Sequence, residues 1–302
     1  MKLKTIIIII IALLLFYYVS IIKNKRDYIK TNTSHRFKVD LSLQDNEYFK
    51  NKKVVICGLA RDIEGNLSSL SKNLKTVTEL FQDYIIVIVE NDSQDNTRKS
   101  LLNLKKDFKI VLLGCGIDSS DCVMKTKKYG HAHTKVRIQK MIDLRNIYMD
   151  YISKISPGEY DFVIMYDFDL GCSIYQDGVL NSAYYFNKFP EIEMMGANSV
   201  WINPLNLLFD IYPYYDDYAL EPKKRFIKYT GNTVADKSDL LEVESAFGGF
   251  VIYKFNTICS LKYKYINDDK GIPLCEHVVF NKDIKNKNKF VNPRMIIAVL
   301  KN

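Results

Sequence analysis

Short, nearly continuous apolar runs alternate with amphipathic stretches from about residue 54 onward. Val54-Val55-Ile56-Cys57-Gly58-Leu59, Tyr84-Ile85-Ile86-Val87-Ile88-Val89 and Phe108-Lys109-Ile110-Val111-Leu112-Leu113 each have the length and β-rich composition of a buried strand. Between the first two, Leu67, Leu70, Leu74, Val77 and Leu80 recur at spacings of three and four, which predicts a helix over 66–80. A second helix is predicted over 97–106. The order β-α-β-α-β with buried strands is the mark of a parallel α/β sheet.

A Gly-, Asp- and Ser-rich loop over 114–134 leads to a long helix predicted over 135–154, and the run Tyr160-Asp161-Phe162-Val163-Ile164-Met165 then reads as a further buried strand. Past residue 172 the pattern is mixed. A helix is predicted over 179–189 and a strand and turn over 193–200. Asp210-Ile211-Tyr212-Pro213-Tyr214-Tyr215-Asp216-Asp217-Tyr218 is aromatic and acidic, a composition suited to stacking on a sugar ring or to an ordinary packed loop. Gly248-Gly249 stands at the mouth of the strand Phe250-Val251-Ile252-Tyr253, where missing side chains permit close backbone approach or a bulge. Cys275-Glu276-His277 precedes another apolar run, and Phe290-Val291-Asn292-Pro293 reads as a closing strand.

The N-terminus differs from all of this. After a tail of residues 1–4, Thr5 to Ile22 are 18 residues without a charge, enough to cross a bilayer. A cleaved signal peptide is the alternative, but Tyr17-Tyr18-Val19-Ser20-Ile21-Ile22 offers no small-x-small cleavage site, which favours an uncleaved signal anchor. Residues 23–52 are polar and charged and read as a stem, with the globular domain expected over 53–302. Lys23, Lys25, Arg26 and Lys30 outnumber Lys2 and Lys4, so charge counting favours a cytosolic domain. Sequons at Asn32, Asn66 and Asn91 point the other way, to a type II protein with a lumenal, Golgi- or ER-like domain.

The formal charge of +8 raises the question of nucleic acid. Residues 1–53 carry eleven Lys/Arg against Asp27, Asp40, Asp45 and Glu47, a net of +7 that leaves +1 for the remainder. The main domain therefore lacks the basic footprint of a nucleic-acid binder. The six cysteines show no CxxC spacing. Cys57 reads as a buried thiol, Cys115 and Cys122 are candidates for a small disulfide loop, and His131 and His133 just downstream leave a zinc site open.

The candidate chemistry centres on Tyr166-Asp167-Phe168-Asp169. Two carboxylates one residue apart at the C-terminal end of a buried strand can converge on a hard cation, and such a cation bridges the phosphates of a nucleotide. Solvated acids at a strand end are the plainer reading. Arg137 and Arg145, eight residues apart and about 80° apart around a helix, can share one edge and face a phosphate, or both be solvated.

Taken together, Val87 to Thr97, with its acidic post-strand loop, resembles the strand-loop-helix of GT-A glycosyltransferases. Arg137-Ile138-x-x-Met141-x-x-x-Arg145-Asn146 with the Asp167-x-Asp169 strand, Tyr215-Asp216-x-Tyr218-Ala219, Ser245-x-Phe247-Gly248-Gly249 and Cys275-Glu276-His277 are more specifically similar, in order, to the fungal capsule-associated α-1,3-mannosyltransferases and their relatives. Unlike many of those, this chain has a full Asp-x-Asp, which favours metal dependence and leaves mannose specificity open.

The resemblance implies a GT-A, Rossmann-like mixed sheet flanked by helices, behind a transmembrane anchor. It implies a membrane-anchored enzyme moving a sugar from a GDP- or UDP-sugar to a glycan or glycoconjugate, with retention of configuration. Asp167 and Asp169 would hold Mn²⁺ or Mg²⁺, with His277 as third ligand or else a surface or core histidine. Arg61 and Asp92, and secondarily Glu90, would contact the nucleoside, and Arg137 and Arg145 the diphosphate. If the enzyme inverts, Asp217, Glu244 and Glu276 are the candidate bases. A catalytically silent carbohydrate-binding protein on the same fold, and a sugar nucleotidyltransferase, are the competing readings. The second would want a glycine-rich loop after the first strand, and Gly58-Leu59-Ala60-Arg61-Asp62 is a poor one.

Overall fold

The structure, a computed structural model, describes residues 3–29, 43–115, 134–209, 212–223, 227, 237–285 and 288–300. Helix α1 (Leu3–Ile29) carries the long apolar segment. Strands β1 (Lys53–Ala60), β2 (Asp83–Asn91) and β3 (Ile110–Cys115) alternate with helices α2 (Leu67–Thr78) and α3 (Thr97–Leu104). Then follow α4 (Lys135–Ile152), β4 (Phe162–Tyr166), β5 (Cys172–Ile174), α5 (Gln176–Lys188), β6 (Met194–Ile202) and α6 (Pro204–Phe209). The C-terminal part comprises β7 (Leu241–Glu242), β8 (Phe250–Lys254), α7 (Phe255–Ile258), α8 (Glu276–Lys282) and β9 (Lys289–Leu300).

Among the described residues the strands form one sheet in the order β3-β2-β1-β4-β8-β6-β9-β5, with β7 on β9. The pairs β3–β2, β2–β1 and β1–β4 are parallel, as the buried runs predict. From β8 onward the sheet is mixed, because β8 runs antiparallel to both β4 and β6. The chain leaves β1 toward β2 on one side and later returns to β4 on the other. The C-terminal ends of β1 and β4 therefore open a crevice at the point where strand order reverses.

The two faces of the sheet bury separate cores. α4 packs on one face through Ile138, Ile142, Leu144, Tyr148 and Met149, together with Val55, Cys57, Val87 and Met165. α2 and α5 cover the other through Leu70, Leu74, Val179 and Phe186. Several close approaches demand glycine. A Cβ on Gly58 would overlap the carbonyl oxygen of Tyr166 on the neighbouring strand, and Gly249, at φ 72°, lies against Leu170.

Three expectations change. Phe49, expected in the stem, is fully buried and stacks on Phe81 at 4.5 Å, and Asn181 Nδ2 donates to the Leu43 carbonyl. The globular body thus includes residues 43–52. The closing strand runs to Leu300 because Pro293, which has no N–H for the ladder, sits in a bulge between Asn292 and Ile296 rather than ending the strand. Asn91 is buried, so its sequon presents no accessible amide, whereas Asn66 is half-buried with its Nδ2 donating to the Asp169 carbonyl. The Asn32 sequon, Cys122, His131, His133, Asp210 and Ile211 lie outside the described residues, as does the side chain of Cys115; Cys57, Cys172, Cys259 and Cys275 are free thiols.

Candidate active site

A cleft of about 860 Å³ opens over the C-terminal ends of β1, β2 and β4. Its size is that of sites for small organic ligands. Ala60, Arg61, Asp62 and Asn91 line one end, Arg137 and Met141 of α4 one wall, Asp167 and Asp169 the floor. Trp201, Tyr215, Asp216, Asp217 and Tyr218 form the far side, and Phe247, Glu276 and His277 close it.

Asp167 is the first residue beyond β4, and its N–H donates to the Gly249 carbonyl at 2.9 Å, so the glycine pair fixes the strand end. Phe168 is fully buried while Asp169 is exposed to the cleft, the alternation of a strand end that keeps both carboxylates on the open side. Burial raises the pKa of Asp167 against the pull of Arg145, and burial likewise raises that of Asp169.

Arg145 is the largest departure from the sequence reading. Rather than lying on a solvated helix edge, it is 4% exposed on the sheet-facing side of α4. Its Nη2 lies 3.3 Å from Asp167 Oδ1, its Nε 3.3 Å from Glu276 Oε1, and Nη1 donates to the Tyr148 hydroxyl at 3.3 Å. The guanidinium carbon sits 5.2 Å over the Phe247 ring. Burial alone would lower its pKa, but Tyr148, Asp167, Tyr263 and Glu276 raise it well above the usual value, so it stays cationic. It neutralises acids at the base of the cleft, whose lining it joins, while Arg137, one turn into α4, is half-buried on the cleft wall.

His277, next to Glu276 at the start of α8, is 2% exposed and stacks on Phe247 with ring centroids 3.8 Å apart. Its Nδ1 is 3.4 Å from the Tyr263 hydroxyl, and its Nε2 is buried without a hydrogen-bond partner. Burial, then Arg145, holds its pKa well below the usual range, so the ring is neutral and able to donate an electron pair. Among the described residues no three His, Cys, Asp or Glu side chains form a ready metal cluster. Two carboxylates and a neutral imidazole whose Nε2 has no hydrogen-bond partner nonetheless suit a cation that takes its remaining ligands from phosphate oxygens.

Glu90 does not meet its expected role. It is fully buried, accepting from Ser93 N at 2.7 Å and Arg98 Nε at 3.0 Å, and so braces the loop rather than facing a ligand. Asp92, at φ 55°, pairs with Arg98 at 3.6 Å and is not among the residues that line the cleft. Asp62, at φ 49°, accepts from Gln94 N at 2.6 Å and lines the cleft beside Arg61. Glu244 is exposed and outside the cleft lining, which removes the basis for a catalytic role.

Asp216 is the acid the sequence reading passed over in favour of Asp217. Its carboxylate accepts from Gly248 N at 3.2 Å and Ala219 N at 3.3 Å, and burial pushes its pKa up to about 6. Asp217 is exposed at the cleft edge. Tyr214 pairs with Val200 and anchors the run against β6, a tertiary contact that no periodicity of the run announces.

No protein-family model matches this chain, and no curated protein sequence matches it. Its fold does match solved structures. S. aureus TarS superposes with a TM-score of 0.50 at 11% identity, over 82% of this chain and 37% of TarS. TarS 1-349 in complex with UDP-GlcNAc gives 0.49 at 11% identity, over 83% of this chain and 59% of that one. The mannosyltransferase PcManGT from Pyrobaculum calidifontis, in complex with GDP-Man and Mn²⁺, gives 0.47 at 12% identity, over 98% and 68%. The chain thus spans about three-fifths of the TarS fragment. At these identities the likeness is one of fold, and the GT-A mixed sheet flanked by helices is that fold.

Proposed function

We infer that this chain is a glycosyltransferase that takes a nucleotide-sugar donor into the cleft. One observation carries the reading: an Asp-x-Asp pair stands at the strand-order reversal, open to an 860 Å³ cleft and backed by a buried arginine. Asp167, Asp169 and His277 Nε2 are the residues that would hold Mn²⁺ or Mg²⁺, which when bound neutralises the donor diphosphate as its bond to the sugar lengthens. Arg137 adds positive charge from the wall. Arg61, Asp62 and Asn91 border the end where a nucleoside would lie, and Asp92 follows Asn91 in the same loop.

Arg145 works from below. Paired with Asp167 and Glu276, it offsets carboxylates that would otherwise repel a diphosphate, and it orients Asp167. Asp216, half-buried with its pKa raised to about 6, has the properties of a base for the acceptor hydroxyl; Glu276, engaged by Arg145, and Asp217, at the edge, are less suited. A base is needed for inversion. The capsule-enzyme resemblance implies retention instead, and mannose as the transferred sugar. The anomeric proton of the product, read by NMR, decides between the two outcomes.

The membrane-anchored reading rests on α1, whose residues Lys4–Asn24 form a helix long and apolar enough to cross a bilayer. The test of function is to incubate the full chain in detergent with GDP- and UDP-sugars and Mn²⁺. Release of nucleoside diphosphate supports transfer, pyrophosphate supports a nucleotidyltransferase, and neither product supports a silent sugar-binding protein.

A further inference from the structure

The far end of the sheet carries an apolar surface that the cleft does not use. Helix α6 (Pro204–Phe209) follows β6 directly and has two unlike faces. Leu207 is 1% exposed and packs with Tyr175, Val200, Ile202 and Ile296. Leu205 and Phe209, four residues apart and so on one side of the helix, are 61% and 65% exposed. An outward helix face on a water-surrounded domain is normally polar.

What lies beside this face indicates what covers it. α6 packs against α1, and Ile22, near the end of the apolar span, rests on the same cluster as Leu207. The exposed pair therefore continues the apolar surface of α1, where Ile10, Leu14 and Phe16 are likewise uncovered. Lys23 is exposed at this end of the span, and Lys25 and Arg26 follow it in sequence, a basic group suited to anionic lipid headgroups.

We propose that Leu205 and Phe209 dock on a lipid bilayer beside the exit of α1, seating the domain on the membrane surface. This rests on α1 crossing that bilayer. The contact is interfacial: a leucine and an aromatic side chain entering the headgroup and upper acyl region while α6 lies along it. Trp201, which lines the cleft, is four residues from Leu205, at most about 14 Å of extended chain. The docked domain therefore holds one wall of its cleft near the membrane surface.

Trp201 is the single tryptophan of the chain, which allows a direct test. The full chain carrying Trp201→Phe is reconstituted in phosphatidylcholine/phosphatidylglycerol vesicles, and one tryptophan is introduced at a time: Ile10→Trp in the span, Leu205→Trp or Phe209→Trp in α6, and Leu102→Trp on exposed α3 at the opposite sheet edge. Brominated acyl chains are expected to quench the first three by about twofold or more and to spare Leu102→Trp, while aqueous iodide does the reverse. Leu205→Trp and Phe209→Trp behaving like Leu102→Trp, with Ile10→Trp quenched, overturns the docking and leaves the span intact. Shielding of both from iodide without lipid quenching places protein there, such as a second copy, and also overturns it. An unquenched Ile10→Trp refutes the span itself and the docking with it. If Trp201→Phe misfolds, Trp201→Tyr provides an equally dark background.

Discussion

Arg145 Nη2 lies 3.3 Å from Asp167 Oδ1, and the same guanidinium is 3.3 Å from Glu276 through its Nε. One buried cation thus ties the strand end that carries the Asp-x-Asp to the N-terminus of α8. Removing it leaves two acids with no counter-charge. Arg145→Met is expected to cost about 3–5 kcal/mol of stability, the usual result of breaking a buried pair from one side. Arg145→Lys keeps the charge but lacks the fork that reaches both acids, so it should retain the fold and lose much of the activity. Urea unfolding together with nucleotide-release rates separates the two effects. Equal stability of Arg145→Met and wild type would contradict the bridging role.

Asp216 sets an expected pH dependence. Its pKa is raised to about 6, so the carboxylate is protonated below that pH and is available as a base above it. Under inversion, turnover should climb about tenfold per pH unit below 6 and level off above. Asp216→Asn should remove this limb and lower kcat by about 10²–10⁴. An unchanged limb in Asp216→Asn would assign it to another group.

Metal affinity should depend on pH in the same sense. The carboxylates of Asp167 and Asp169 are both raised by burial and must lose their protons to bind a cation, so Mn²⁺ affinity should fall as the pH drops through their raised range. His277 is already neutral and adds no such dependence. Electron paramagnetic resonance of free Mn²⁺ gives the binding curve. His277→Ala should weaken it without altering its pH profile, whereas full retention of affinity would remove the imidazole from the ligand set.

Phe49 tests where the domain begins. Its ring is buried among Phe81, Phe162 and Phe186, so Phe49→Ala should cost about 3–5 kcal/mol in chemical denaturation. A fragment starting at Lys53 should unfold earlier than one starting at Leu43. Identical midpoints would return residues 43–52 to the stem.

The parallel half of the sheet was legible in the sequence because its strands are unbroken apolar runs and its helices repeat every three or four residues. The position of the Asp-x-Asp followed from the strand before it. The burial of Arg145 is not legible in the sequence for a physical reason: helical spacing fixes its angle to Arg137 but not the direction of the sheet. That direction is set by Ile138, Ile142 and Tyr148 packing on β1 and β2. Asp216 lies in an aromatic run with no period of its own, and its burial and its bonds to Gly248 and Ala219 distinguish it from the exposed Asp217. Glu90 is a ligand candidate through the resemblance alone, and its burial and its pairing with Arg98, eight residues on, are tertiary facts that the post-strand pattern does not show.

Calorimetric titration of the full chain with GDP and UDP, in Mn²⁺ and again in EDTA, tests the donor site most directly. Binding of at least one nucleotide is predicted in Mn²⁺, with loss in EDTA and loss in Asp169→Asn. Absence of binding in every condition, or binding indifferent to both the cation and Asp169, would contradict the assignment of this cleft to a nucleotide-sugar diphosphate.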